Sequence, residues 1–421
     1  MGRPKDTPTL AREVVERCRK LASYSEDSGS LRRTFLSAPM REVHQEISSW
    51  LGPLGAVVRV DAAGNLRALR PATAPESPRV LIGSHLDTVP GAGAFDGVLG
   101  VVLAVAVLEA VVSKKFPLAI EIVGFSEEEG VRFGKPFIGS RALVGKLDRD
   151  LLAIRDGEGI SVQNVIESFG LDPAEIPMAV VAGDACAFLE FHIEQGPVLE
   201  RLGYPLAAVE VVAGQTRMDF AFLGKSNHAG TTPMDLRCDT VAGAAEWISG
   251  TEALAKGTPG LVATVGSVQT LPGATNVIAG ETRLSLDVRH ASDAVRSRAV
   301  KDLTSLAEGI SQKRGFTLRY TTRVDQNAVA MDPFLVGQVA EAIEKTGGVP
   351  HRMVSGAGHD AMILAEKVPA AMVFLRTPGG ISHNPAESVA IDDVAQAIEC
   401  GIYLLEQLAA SPSFLARTHR A

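Results

Sequence analysis

Between Arg79 and Ser126 the chain sets two short apolar runs on either side of one long one, and few folds accept that pattern. The short runs are Arg79–Ser84 (RVLIGS) and Leu118–Ser126 (LAIEIVGFS), and the long one is Val98–Val112. Short runs without polar alternation belong to strands buried on both faces of a parallel sheet. A strand, a helix and a strand of these lengths make a β-α-β crossover. The whole apolar stretch Gly97–Val112 falls short of the ~20 residues a bilayer needs and carries Glu109, so it reads as a buried helix and not a membrane span.

The flanking sequence extends this picture. Residues 9–51 read as helical, with Leu31–Trp50 as one long helix broken near Pro39. Ala56–Val60 and Leu66–Leu69 form a hairpin around Asp61–Gly64. Ala185–Ile193 is strand-like. From 209 to 324 the pattern changes: strand Val209–Leu223, helix Thr240–Ala255, strands Leu261–Thr270 and Glu281–Arg289 around a Pro272-Gly273 turn, helix Ala294–Lys313, strand Phe316–Thr322. That order, β-α-β-β-α-β, is the ferredoxin-like arrangement. Leu284, Leu286 and Val288 share one face, so the sheet is covered on one side only. Helix–strand alternation then resumes with Pro333–Thr346, Ala370–Leu375 and Val394–Leu408. The expected architecture is an α/β domain (1–208 and 325–421) interrupted by an α+β domain (209–324), in line with two or three domains for 421 residues.

Charge and cysteine content narrow the function. Lys and Arg number 41 against 49 Asp and Glu, a net charge of −8, which argues against a nucleic-acid partner. Cys18, Cys186, Cys238 and Cys400 are scattered without short spacings, as expected of reduced thiols. The first residues are charged and have no apolar signal core. A cytoplasmic protein without membrane attachment is expected.

Chemistry-bearing residues gather after the apolar runs. His85 ends one, in Gly83-Ser-His-Leu-Asp-Thr, with Asp87 placed to accept its second ring N–H. Asp96 stands at a helix start, where a lone Asp is more often a cap. Glu127-Glu128-Glu129-Gly130 follows Leu118–Ser126; alone, such a run reads as a solvated turn, but one Glu as ligand beside another as base gives the repulsion a use. His192 and Glu194 close Ala185–Ile193. His359 and Asp360 lie in a Gly-rich loop, and His383 and Glu387 follow Ala370–Leu375. Ligands of open α/β sheets collect at the carboxyl ends of strands, and this mix of imidazole and carboxylate suits zinc or manganese. A dinucleotide loop is excluded because Asp96 occupies the third Gly position, and no Gly-x-Ser-x-Gly elbow is present.

Read together, GSHLDT…FDG, FSEEEGVRF…GSRALVG, HIEQGPVLE, NHAGTTPM, SGAGHDAM and GISHNPAE resemble the ureido-hydrolysing branch of the di-metal aminopeptidase-like amidohydrolases. That branch includes allantoate amidohydrolases, N-carbamoyl-L-amino-acid hydrolases and β-ureidopropionases. The resemblance implies an α/β catalytic domain with a mostly parallel mixed sheet, and an inserted ferredoxin-like lid that dimerises. It implies two divalent cations (manganese, zinc or cobalt) held by His85, Asp96, Glu129, His192 and His383, with Asp96 bridging. Glu128 is implied as general base, Asp87 as a further catalytic residue, and His228 as a lid residue reaching the partner protomer's site. Gln195, Arg217, Asn276, Arg289 and Gly358 are implied to meet substrate. Arg289 lies on the strand face opposite Leu284, Leu286 and Val288, Asn276 in the loop before that strand and Arg217 on another strand of the same sheet, so these three are expected to converge on one anion when the lid closes.

The implied substrate is a small ureido carboxylate. Gly214-Gln215-Thr216-Arg217 resembles the allantoate amidohydrolase form of this segment, which favours allantoate and purine catabolism, with N-carbamoyl-L-amino acids next. A sheet-face salt bridge is the plain alternative for Arg217. A peptidase, a deacylase or an inactive binding relative remains open, since fold does not fix function.

Overall fold

The structure is a computed structural model that describes residues 5–74, 77–114 and 116–415. It divides into two compact units, Met1–Glu210 with Ala330–Ala421, and Val211–Val329. Sequence patterning puts these junctions at 208/209 and 324/325; residues 1–4, 75–76, 115 and 416–421 of the first domain lie outside the described residues.

The first unit is built on a nine-stranded mixed sheet. Ala119–Phe125, Arg79–His85, Ala185–Ile193 and Ala370–Leu375 lie side by side and parallel at its centre. The hairpin Val57–Val60/Leu66–Arg70 joins one side antiparallel, and Leu206–Val212 joins the other. Burial accounts for the apolar runs: every residue of Ala119–Phe125 is buried. Helix Val98–Val111 packs on Arg79–His85 and between helices Thr7–Ala22 and Ile391–Ala410, which is why it has no polar face. Among the described residues no helix is long and apolar enough to cross a membrane.

Leu31–Trp50 is not one helix. The helix covers Ala38–Leu51, and Pro39 sits in its first turn, where the missing N–H costs nothing. Residues 31–37 instead lie outside the helix: Arg33 forms an antiparallel bridge with Thr88, and the chain turns at Phe35–Leu36, with Leu36 at a left-handed φ of 49°.

In the second unit the strand order is Val268–Leu271, Glu281–His290, Gly214–Leu223, Thr317–Gln326, all antiparallel. Helices Thr240–Gly257 and Asp293–Arg314 cover one face, burying Phe220, Phe222, Trp247, Leu284, Leu286 and Val288. Val209–Leu223 proves to be two strands, Leu206–Val212 in the first sheet and Gly214–Leu223 in the second. Gly214 permits the passage: a Cβ there would come within 2.6 Å of Asp293 Oδ1. Leu261–Thr270 is likewise two short strands, Val262–Thr264 and Val268–Leu271, on different stretches of Glu281–His290. Asn227–His228 and Val277–Ile278 form a separate two-stranded ribbon that the sequence reading lacked.

Candidate metal centre

The four central parallel strands all end at one side of the sheet. His85 is the last residue of its strand, Glu127–Glu129 follow Ala119–Phe125, His192 is next to last in its strand, and His383 lies in the loop after Ala370–Leu375. Asp96 arrives from the loop before the long helix. It does not cap that helix; Gly97 occupies the cap position at φ 66°. A Cβ on Gly97 would stand 2.4 Å from the His85 ring, so only glycine lets Asp96 approach. Three residues at this rim, Glu127, Gln195 and His383, hold left-handed φ of 51°, 60° and 54° without being glycine. Such backbone strain concentrates at functional sites.

Two ligand-like groups result, and they share Asp96. His85, Asp96 and His192 each offer a donor atom within 4.8 Å of the others, as do Asp96, Glu129 and His383; His85, Glu128 and Glu129 form a third grouping. Asp96 Oδ1 is 3.3 Å from His192 Nε2, and Asp96 Oδ2 is 3.1 Å from His383 Nε2. His192 Nε2 is 3.4 Å from His85 Nε2, and His383 Nε2 is 3.5 Å from Glu129 Oε1. Converging imidazole and carboxylate donors fit a first-row divalent cation.

Second contacts orient these groups. His85 Nδ1 meets the main-chain oxygen of Asp87 at 3.0 Å, closer than the Asp87 carboxylate at 3.6 Å. This corrects the expected pairing: the Asp87 carboxylate accepts the N–H groups of Glu128 (2.9 Å) and Glu129 (3.0 Å), so it holds the Glu loop. His192 Nδ1 is 2.8 Å from Ile193 O. Gln195, expected to meet substrate, donates its Nε2 to both Asp96 oxygens at 3.0 and 3.1 Å.

The electrostatics are those of crowded, buried acids. Burial raises Glu128 well above the usual carboxylate range, and Glu129, Asp360 and Asp87 add to it. Burial pushes Glu129 up to about 7, with His85 opposing and Asp96 and Asp87 adding. Burial disfavours the His85 cation, but Asp87, Asp96 and Glu129 outweigh it and raise the ring to about 9. Burial also works against Asp96, yet the His383 hydrogen bond and the His192 and His85 charges keep it well below its ordinary range. Protons hold this cluster's charge in check, and a divalent cation would displace them.

Glu127 does not join the cluster. Its carboxylate accepts the main-chain N–H groups of Phe35 (3.0 Å) and Arg132 (2.8 Å). Gly358 precedes His359, whose buried ring packs edge-on to His192 with centroids 4.5 Å apart.

The remaining expected residues lie in the second unit. Arg217 Nε and Arg289 Nη2 both donate to Asp287 Oδ2, at 3.0 and 2.9 Å, on the face left open by the helices. The salt-bridge alternative for Arg217 is therefore present. His228 Nδ1 accepts the N–H groups of Gly230 (3.0 Å) and Thr231 (3.2 Å), which leaves Nε2 as the ring's donor. Asn276 sits beside it, its main-chain oxygen accepting Ala229 N–H at 2.9 Å. These residues do not converge within the unit. His228 and Asn276 lie beyond the end where Leu223 pairs with Glu281, whereas Arg289 stands eight positions further along that strand. Eight extended residues span about 27 Å.

Sequence reasoning singled out Glu387 without giving it a role, and it passed over Ser382. Glu387 accepts the N–H groups of Phe95 (2.9 Å) and Asp96 (3.0 Å), fixing the loop that delivers Asp96. Its spacing of four from His383 was the available signal. Ser382, beside His383, contacts Asp96 and Glu387 at 3.4 and 3.3 Å.

Comparison with known proteins places these residues in context. The profile of Peptidase family M20/M25/M40 matches residues 81–407. The chain is 36% identical to an allantoate deiminase of Arabidopsis thaliana, across 95% of this chain and 82% of that protein. It is 39% identical to an N-carbamoyl-L-amino acid amidohydrolase of Geobacillus stearothermophilus, across 91% and 94%. A crystal structure of an amidase of the hydantoinase/carbamoylase family from Burkholderia multivorans superposes with a TM-score of 0.90 at 28% identity, covering 96% of this chain and 98% of that one.

Proposed function

This chain belongs to peptidase family M20/M25/M40, and from that premise we propose that its strand-end cluster is a two-cation centre hydrolysing the ureido group of allantoate. The protein is an amidohydrolase of ureido compounds, as its relatives' names indicate. N-carbamoyl-L-amino acids are the second reading, favoured by the 39% identity to an enzyme named for them. The observation that carries the proposal is Asp96, shared by two groups of metal-ligand type.

His85, Asp96 and His192 would hold one cation, and Asp96, Glu129 and His383 the other, as manganese, zinc or cobalt. Such a pair polarises a carbonyl and makes water acidic enough to lose a proton near neutral pH. Glu128 accepts that proton and passes it to the leaving nitrogen, a role worth ~10²–10⁴-fold. One water is consumed, the ureido C–N bonds break, and ammonia, carbon dioxide and the amine leave. His228 Nε2 is a donor suited to the developing oxyanion. Arg289 grips the substrate carboxylate by a forked contact, and Arg217 the second ureido group that allantoate carries.

The separation of about 27 Å supports a homodimer. A small substrate cannot span His228 and Arg289 of one second unit, so if both act, they act from two copies. The second unit would then be both lid and dimerisation domain, with His228 and Asn276 supplied in trans. A cytoplasmic location fits this reading.

Ammonia release from allantoate, N-carbamoyl-L-amino acids, β-ureidopropionate and a dipeptide tests the substrate. Allantoate is expected to give the highest kcat/KM. Release only from N-carbamoyl amino acids selects the second reading, and dipeptide cleavage without ammonia contradicts both.

A further inference from the structure

Behind the cluster lies a segment with no role in the reaction described so far. Arg33 is fully buried, and each hydrogen bond from its guanidinium goes to a main-chain carbonyl. Nε donates to Leu86 O at 2.8 Å, and Nη1 to Leu21 O and Tyr24 O at 2.9 and 3.0 Å. Leu86 is the residue between His85 and Asp87. The backbones are tied at the same place: Arg33 N–H donates to Thr88 Oγ1 at 2.9 Å, and Thr88 N–H to Arg33 O at 2.9 Å.

The same segment holds the second loop. Phe35 N–H donates to the Glu127 carboxylate at 3.0 Å, and Arg132 Nη1 donates to Phe35 O at 3.0 Å. Leu31 O accepts Gly91 N–H at 2.8 Å. Residues 31–35 therefore clamp the loop from His85 to Asp96 and the run Glu127–Glu129 to one strip of backbone.

A guanidinium without a bonded carboxylate is costly to bury. An apolar side chain would serve the core at less cost but would leave the Leu86 carbonyl unpartnered. A lysine offers one compact ammonium where the guanidinium fork reaches three carbonyls. Residues that break a local rule without a packing gain tend to serve the site.

We propose that Arg33 is a positioning residue of the metal centre, fixing the Leu86 carbonyl and through it the directions of His85 and Asp87. The proposal rests on the reading of His85 as a metal ligand. It acts through the ligand loop and not through substrate, so the effect falls on cation affinity and kcat, with KM little changed.

The test compares Arg33→Met and Arg33→Lys with Arg67→Met in the full chain. Arg67 is also buried, bonded to Glu121 and to Ala179 O, and touches no residue of the centre. Each protein is stripped of metal and titrated with cobalt(II), following heat and visible absorption. Wild type and Arg67→Met are expected to share one affinity and one cobalt spectrum, with only Tm lower in the latter. Both Arg33 variants are expected to bind roughly tenfold or more weakly, with a shifted cobalt band. An Arg33 variant with wild-type affinity and spectrum overturns the proposal, whatever its Tm. If Arg33→Met does not fold, Arg33→Lys decides alone by the same criteria. Wild type binding no cobalt overturns the metal reading itself, and the role of Arg33 with it.

Discussion

Glu127 and Glu128 are neighbours in the chain whose carboxylates serve opposite purposes. Glu127, at φ 51°, turns back to accept two main-chain N–H groups, while Glu128 joins His85 and Glu129. Three substitutions separate the roles. Glu128→Gln is expected to keep metal content and lose roughly 10²–10⁴-fold in kcat. Glu129→Gln should lose metal. Glu127→Gln should lower Tm, with the smallest effect on kcat of the three. Metal content and kcat of the purified variants check this; exchanged phenotypes would move the assignment by one residue.

Arg289→Ala is expected to damage every carboxylate-bearing substrate, by roughly 10- to 150-fold in kcat/KM for a lost charged hydrogen bond of ~1.5–3 kcal/mol. Arg217→Ala should damage allantoate far more than an N-carbamoyl amino acid, which has no second ureido group. Kinetics on both substrates decide it. Equal losses for Arg217→Ala would reduce that residue to the Asp287 ion pair it makes here.

Subunit mixing tests action in trans. His228→Ala and Glu128→Gln are each expected to be nearly inactive. A mixed dimer holds one site with Glu128 from one subunit and His228 from the other, and should regain activity on exchange. Proven exchange without recovery would assign His228 to its own chain.

His44 gives the fold an acid weakness unconnected with catalysis. It is buried against Phe169, neither ring nitrogen has a hydrogen-bond partner, and burial pushes it down to about 3, with Arg33 and Arg41 adding. The folded state binds the proton less well than the unfolded chain, whose His titrates near ~6.5. This contribution is therefore complete above pH ~6.5 and is lost as pH falls toward 3, at up to ~1.4 kcal/mol per pH unit. His44→Met should match or exceed wild-type Tm at pH 7.5 and flatten the decline below 6.5. Parallel Tm curves for the two proteins would contradict it.

The sequence made most of the parallel core and its strand-end cluster readable, because His85, Glu128 and His192 each follow an apolar run whose character only a buried strand explains. It could not separate Glu127 from Glu128, since identical side chains differ here only in a backbone dihedral. Asp96 was ambiguous because a helix start explains an Asp equally well. Arg33 was invisible for another reason: it recognises main-chain carbonyls, which carry no sequence signature. Val209–Leu223 read as one strand because its composition is continuous across Ala213 and only the sheet partners change. Arg217, Asn276 and Arg289 were expected to converge because the two arginines share the open face of one sheet; the strand bounds Glu281–Arg289 already set Asn276 before one end and Arg289 at the other, a separation the face argument ignores.

The most direct test of the whole account is ammonia release from allantoate by protein stripped of metal and then titrated with manganese, cobalt or zinc. The account predicts no release from the stripped protein, and recovery that tracks bound cation up to two per chain. Undiminished release from rigorously metal-free protein would contradict it.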